Sequence, residues 1–586
     1  MNSPKNHTMT FSYSNEKNAQ VILYLLKAHN IKRVIASPGT TNTALVSSMQ
    51  QDPYFIMYSS VDERSAAYMA CGLAAELGEP VVISCTGATA SRNYLPGLTE
   101  AYYRKLPVLA ITSMQSFAKI GHHVAQVIDR SSVPNDAIKL SVTLPIVKDD
   151  EDLWDCEIKV NKAILELTRA GGGPVHINLP TTYTKPYTTK ELPTYRVINR
   201  INIHDHFPEI KGKVGVFIGA HKNWTAEETQ ALEQFCIHNN AVVFCDHTSG
   251  YYGKNRLLFS LAASQSMLDK SEYCPEILIH IGEITGDYAT LNIVGKEVWR
   301  VSEDGEIRDT FRRLRYVFDM PEKSFFQHYA TGNLEDDSYY QSCKQNLESI
   351  RGKIPELPLS NIWLASKLAH RIPDGATIHF GILNSLRSWN FYELPPTVKA
   401  ASNVGGFGID GGLSSLIGAS LANENKLYFA VIGDLAFFYD INVLGNRHAG
   451  KNLRILLINN GKGTEFRQYN HHAAYFGEAA DEYVAAAGHF GKKSPTLVKN
   501  FATDLGYQYM TAATKEEFEA CYERFLSDKI LDRPIIFEVF TDSNLESEAL
   551  EIIQNLASSP KVQAKVLAKK ILGQKGINIA KKLINK

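Results

Sequence analysis

Two short polar clusters in the C-terminal half of this chain carry residue types suited to holding a metal-bound phosphate. Gly433-Asp434 ends one apolar run, and Asn459-Asn460-Gly461 ends another about 25 residues later. Asp434 and Asn460 supply hard oxygen ligands of the kind Mg²⁺ takes. Gly433 lets the backbone come close to a ligand, and Gly461 and Gly463 let the second cluster turn sharply. The chemistry these residues fit is a metal-bridged diphosphate site. Glu63, in Val61-Asp62-Glu63-Arg64, is a second candidate, although a glutamate at a helix start also serves as a plain dipole partner. A third is Gly121-His122-His123-Val124-Ala125-Gln126, where adjacent imidazoles suit proton transfer near neutral pH or simply stand in solvent.

These residues need elements to position them. Segments 427–432 and 453–458 are apolar runs of buried-strand length, joined by a helix-like stretch of about five turns. Two parallel strands joined by a helix bring both tips to one sheet edge, where open α/β sheets bind ligands. The same alternation recurs earlier. Strands are expected at 33–36, 54–58, 80–85 and 107–112, with 173–180 closing the sheet. Asp62 is placed to cap a helix ending near Leu77, and the loop 86–89 leads into a helix reaching Arg104. A further unit starts at Val214, with strands at 215–220, 241–246, 276–282 and 297–303 and a helix over 225–240. The expected fold class is α/β, with three doubly wound parallel-sheet domains at 1–185, 214–340 and 359–550. Polar stretches 186–213 and 341–358 read as linkers, and 551–586 as a basic amphipathic helical tail.

Composition narrows the classes. At 586 residues the chain exceeds a single core, and 44% apolar with 21% charged residues is ordinary globular usage. A net charge of -1 gives no electrostatic footprint for nucleic acid. The eight cysteines form no CxxC pair, which is the usage of a reducing compartment. The opening residues are polar and lack the apolar core of a secretory signal. No run approaches the roughly 18 apolar residues of a membrane span. A cytoplasmic protein is expected. Residues 559–586 carry eight lysines and no acid, with Val562, Val566, Ile571, Leu572, Ile579 and Leu583 at roughly helical spacing. That pattern suits a solvated terminal helix, or one that docks on a membrane surface or an acidic partner.

The run from Ser37-Pro38-Gly39 through Asp62-Glu63-Arg64-Ser65-Ala66 to Thr86-Gly87-Ala88-Thr89 resembles the N-terminal domain of thiamine diphosphate (ThDP) enzymes. The pairing of Gly433-Asp434 with Asn459-Asn460 resembles their diphosphate signature. The likeness is greatest to the succinyl-enolpyruvyl-hydroxycyclohexene-carboxylate synthases of menaquinone biosynthesis (MenD), and it covers most of residues 20–545. Those synthases also have leucine after Gly-Asp, as at Leu435. The resemblance implies ThDP and Mg²⁺ as cofactors, with Asp434, Asn460 and the Lys462 carbonyl as metal ligands. It implies cofactor contacts from Pro38, Gly87, Gly408, Gly433, Leu435, Ala436 and Thr464, with Ile409 propping the two rings of the cofactor. Glu63 then bonds the aminopyrimidine ring and promotes loss of the C2 proton. Because Glu63 and Asp434 lie on different domains, a homodimer or homotetramer with interfacial active sites is implied.

The likeness weakens where substrates bind. The family clamps carboxylate-bearing substrates with basic residues, as bidentate recognition requires. Here Thr40-Thr41 stands for its Ser-Arg, Met114 or a neighbour for a second arginine, and Asp287-Tyr288 for its Lys-Arg pair. Val404 replaces a further arginine, the family's arginine after Asn384-Ser385-Leu386 is displaced with Arg387 its nearest candidate, and Asp287 adds repulsion if it faces the pocket. The histidine pair resembles that of pyruvate-decarboxylase-type enzymes, and Gln126 aligns with a substrate-contacting glutamine. Glu63, His122, His123 and Gln126 are therefore the catalytic candidates, and Glu465, Arg467, His471 and His472 follow the second tip. The expected reaction is decarboxylation of a 2-oxoacid, with transfer of the acyl unit to an aldehyde, ketone or enone. The alternatives are simple decarboxylation to an aldehyde, the family's own synthase reaction, or a silent scaffold.

Overall fold

The computed structural model describes residues 11–182, 185–331, 336–489 and 494–557. The chain divides into two compact units. One comprises residues up to Asn202 together with Gly305–Val317, and the other comprises Ile203–Asp304 and everything from Phe318 onward.

The first unit is built on a six-stranded parallel sheet in the order Ile56–Ser59, Arg33–Ala36, Val81–Thr86, Val108–Met114, Val175–Pro180, Leu140–Thr143. The segment expected to close this sheet forms Val175–Pro180 but lies one place inside the edge, which Leu140–Thr143 occupies. Every residue of Val175–Pro180 is buried, as a strand flanked on both sides requires. Asp62 caps helix Glu63–Leu77, accepting from Ser65 N at 2.7 Å, and Gly78 ends it at φ 64°. The helix expected to run to Arg104 is two helices, Thr89–Asn93 and Leu95–Tyr103. Pro96 explains the break, because proline belongs in a first turn and not in a helix interior.

The second unit holds two parallel sheets. One runs Arg256–Leu257, Ala241–Cys245, Val214–Ile218, Ile277–Ile281, Glu297–Ser302. The other runs Lys399–Ser402, Thr377–Phe380, Tyr428–Gly433, Leu453–Asn459, Ile535–Phe540, Gln508–Ala512. Tyr428–Gly433 and Leu453–Asn459 pair in parallel with Gly433 opposite Ile458, so their tips meet at one edge. The five-turn helix expected between them is absent. Helix Asp434–Tyr439 ends at Asp440, and a 3₁₀ segment Ile441–Gly445 follows. Asp440 turns its carboxylate onto Ser414, whose N and Oγ each donate at 2.6 Å, and Gly445 and Gly450 weaken any continuation. Part of the stretch read as a linker is helix Ser338–Arg351, which buries Tyr339, Cys343, Leu347 and Ile350. Four apolar positions at helical spacing suffice to dock a helix whose composition is otherwise polar.

All eight cysteines are unpaired thiols. No described helix is long and apolar enough to cross a membrane. The lysine-rich tail, 559–586, lies outside the described residues.

Candidate active site

Asp434 is the first residue of its helix and sits directly beyond the strand Tyr428–Gly433. It is 3% exposed, and Gly461 N donates to its Oδ2 at 2.8 Å, joining the two tips. Burial pushes its carboxyl up to about 7. Such a carboxylate is short of a cation. Beside it, Asn460 Oδ1 and Thr464 Oγ1 are buried and have no partner among the described residues. These atoms border a cavity of about 190 Å³ that is also lined by Ile409, Gly433, Leu435, Ala436 and Lys462. A Cβ built on Gly433 would meet nothing within 4 Å. A buried carboxylate, two orphaned oxygens and an open glycine fit a metal-bound diphosphate. Gly408 adjoins Ile409 in a loop where Phe407 takes a left-handed φ of 55°.

Two buried glutamates here escape a motif reading. Glu538, 1% exposed on the neighbouring strand, accepts from Asn459 Nδ2 and from Tyr509 Oη, each at 2.7 Å. The Asn-Asn pair thus divides its work. Asn459 is anchored into the sheet, and Asn460 is left for the cavity. Alternation of side chains along the strand is the signal that separates them. Glu546 lines the same cavity, is 5% exposed, and holds Asn361 N with both oxygens at 3.0 Å. Burial pushes its carboxyl up to about 7.

The remaining candidates fall on the first unit. Glu63 is the first residue of helix Glu63–Leu77, half-buried, and accepts from Asn93 Nδ2 at 3.2 Å. Pro38 is exposed and Gly87 buried. A Cβ at Gly87 would lie 3.3 Å from Ser113 O and 3.5 Å from Gln126 O, so the strand tip and the histidine loop converge there. His122, His123 and Gln126 are exposed, and His123 and Gln126 adopt left-handed φ of 53° and 63°. Such values are costly outside glycine.

The positions that carry basic residues in the resembling synthases hold little free charge. Thr41, Met114 and Val404 are buried, and Thr41 donates to Ser113 O at 2.7 Å. Asp287 does not present an open carboxylate. It accepts from Ser260 Oγ at 3.1 Å, from Ala289 N at 3.0 Å and from the Thr290 hydroxyl, and burial pushes it up to about 6. The expected repulsion is therefore muted by a turn that consumes its acceptors. Arg387 donates to Asn384 Oδ1 at 3.0 Å and pairs with Glu465. Asp481 ties down Lys462 at 2.5 Å and Arg467 at 3.3 Å. His471 accepts from Ala473 N at 3.0 Å and caps the turn that opens with His472.

Residues 16–133 match the family described as thiamine pyrophosphate enzyme, N-terminal TPP binding domain. The chain is 32% identical over 565 residues to a 2-succinyl-5-enolpyruvyl-6-hydroxy-3-cyclohexene-1-carboxylate synthase of Bacteroides fragilis, covering 92% of this chain and 98% of the relative. A protein of the same name from Phocaeicola vulgatus is 32% identical with the same coverage, and one from Flavobacterium johnsoniae is 28% identical over 77% of this chain and 84% of its own length.

Proposed function

The chain belongs to the 2-succinyl-5-enolpyruvyl-6-hydroxy-3-cyclohexene-1-carboxylate synthase family of ThDP enzymes, and from that premise we propose that it decarboxylates a 2-oxoacid and transfers the acyl unit to an acceptor, an aldehyde, ketone or enone. The observation that carries this reading is the cavity at Asp434, where a buried carboxylate and the orphaned oxygens of Asn460 and Thr464 face one space. Asp434, Asn460 and the Lys462 carbonyl would hold Mg²⁺, and Gly433 and Thr464 would meet the diphosphate. Bound there, ThDP supplies the electron sink that takes the electron pair left as CO₂ departs.

The chain's own residues do the rest. Glu63 stands at a helix N-terminus, and Asn93 Nδ2 donates to its Oε2 at 3.2 Å. Its carboxyl would bond the aminopyrimidine ring. Ile409 offers an apolar prop on the cavity wall. His122, His123 and Gln126 would manage protons and substrate on the other side of the reacting centre. Glu63 and Asp434 would come together in a homodimer or homotetramer. The buried, uncharged side chains of Thr41, Met114 and Val404, with Arg387 already paired, favour a donor smaller or less anionic than 2-oxoglutarate.

Protein reconstituted with ThDP and Mg²⁺ and offered a panel of 2-oxoacids tests this. CO₂ release with a ligated product in the presence of aldehyde or enone acceptors is the expected result. Aldehyde alone as product would move the reading to simple decarboxylation. Failure to bind ThDP and Mg²⁺ would overturn it.

A further inference from the structure

One wall of the cavity at Asp434 is a carboxyl group, that of Glu546. This residue stands in the first turn of helix Ser543–Gln554, is 5% exposed, and faces the same space as Asp434, Asn460 and Thr464. Asn361 N, at the start of helix Asn361–Leu368, donates to both of its oxygens at 3.0 Å. One N–H shared between two oxygens leaves much of their hydrogen-bonding capacity unused. The Thr541 hydroxyl is a second polar neighbour.

No cation among the described residues acts on Glu546. Each one on the elements around it is engaged elsewhere. Lys462, across the cavity, and Arg467, on the packed segment Thr464–Arg467, are both held by Asp481. Arg387 is held by Glu465, and Lys367, on helix Asn361–Leu368, pairs with Glu519 at 3.3 Å. The carboxylates that share its surroundings are Asp542, at the cap of its own helix, and Asp434 and Glu465 in the cavity. An ionised Glu546 would add an uncompensated buried charge beside a site for a diphosphate, which is costly. Burial accordingly pushes its carboxyl up to about 7. A carboxyl that keeps its proton has an O–H to give, and Asn361 N, itself a donor, does not take it. The acceptors left are the Thr541 hydroxyl and the anion that fills the cavity. The anion is the stronger of the two, because a hydrogen bond to an ionised acceptor is roughly twice as strong as a neutral one.

We propose that Glu546 is a cofactor-binding residue whose carboxyl O–H hydrogen-bonds the diphosphate of ThDP. This rests on the ThDP site proposed above and adds a protonated acid to the groups that hold the diphosphate. Above neutral pH the carboxylate of the free protein takes one proton from solvent as the cofactor binds, so binding and proton uptake are linked.

Calorimetric titration of the full chain with ThDP and Mg²⁺ tests this without turnover. Glu546→Gln keeps an acceptor for Asn361 N and offers an N–H to the cavity at every pH. Its affinity should stay within about threefold of wild type near pH 6.5. The ratio of wild-type to variant affinity should then fall about 20-fold between about pH 6.5 and 8.5, as a carboxyl titrating at about 7 dictates. Proton exchange by Asp434 and by the diphosphate is common to both proteins and cancels in that ratio. Near pH 8, titrations in two buffers of different ionisation enthalpy should show wild type taking up about one proton more than the variant. If the variant does not fold, wild type alone decides: a net uptake of about one proton near pH 8 is expected, and no uptake overturns the proposal. A constant affinity ratio across that pH range, or equal proton counts, would also overturn it and assign the O–H to Thr541. A wild type that binds no ThDP would remove the cofactor site itself and the proposal with it, an outcome told apart from the others because in those wild type binds.

Discussion

Asp434 and Glu63 are built alike and situated differently. Each is the first residue of a helix that follows a parallel strand, one in each unit. Asp434 is 3% exposed, tied to Gly461 N, and surrounded by orphaned oxygens. Glu63 is half-buried and has Asn93 beside it. The contrast teaches what each carboxylate requires. The buried one faces the unpartnered oxygens of Asn460 and Thr464 within its own unit. The other is half-buried at a helix N-terminus, with its carboxylate held by a single side chain, Asn93.

Four measurements break or sharpen that contrast. Glu63→Gln keeps the shape and removes the carboxylate, so ThDP should still bind while hydrogen–deuterium exchange at its C2 slows by roughly 10²–10⁴-fold. Wild-type exchange in the variant would remove Glu63 from the catalytic list. Asp434→Ala should act on binding instead. Losing a buried charge opposite a cation costs about 3–5 kcal/mol, so calorimetry should find ThDP–Mg²⁺ affinity reduced by about 10³-fold. Unchanged affinity would dissolve the contrast altogether.

The third measurement concerns Glu546, which shares the cavity with Asp434. Its carboxyl is raised from 4.5 to about 7 in the folded protein. The folded state therefore holds a proton that the unfolded state gives up. That contribution is complete below about pH 4.5 and is lost as pH rises through 7, a change of about 3 kcal/mol. Glu546→Gln, melted without cofactor, should lose this slope between those limits. An identical pH profile in variant and wild type would show that the carboxyl is not protonated at neutral pH.

The last and smallest effect is on specificity. With Thr41, Met114 and Val404 uncharged and Arg387 held by Glu465, turnover of the substrate pair implied by the resemblance, 2-oxoglutarate with isochorismate, should fall about two orders of magnitude below that of the preferred pair. Equal rates, measured as product formed, would mean that other cations clamp those carboxylates.

Much of this architecture could be read from the chain. Alternating apolar runs and helical stretches were enough for parallel sheets, because a strand buried on both faces is continuously apolar. Errors arose where local pattern competes with side-chain contacts. The five-turn helix after Asp434 fails because Asp440 is drawn onto Ser414. Helix Ser338–Arg351 hides in a polar stretch because only four positions need be apolar to dock it.

The sequence by itself determined the pairing of Gly433-Asp434 with Asn459-Asn460, since parallel strands joined by one crossover must bring both tips to the same edge. It also determined the cap that makes Glu63 a first helical residue, which is a matter of one side chain, Asp62, accepting from Ser65 N three residues on. Only the tertiary structure decided which asparagine is anchored by Glu538 and which is left open, and that Glu546 shares the cavity. It alone decided that Ser260, 27 positions away, donates to Asp287 in the interior. The physical reason is that burial and partnership are set by residues tens to hundreds of positions away, while spacing along the chain fixes only direction and neighbourhood.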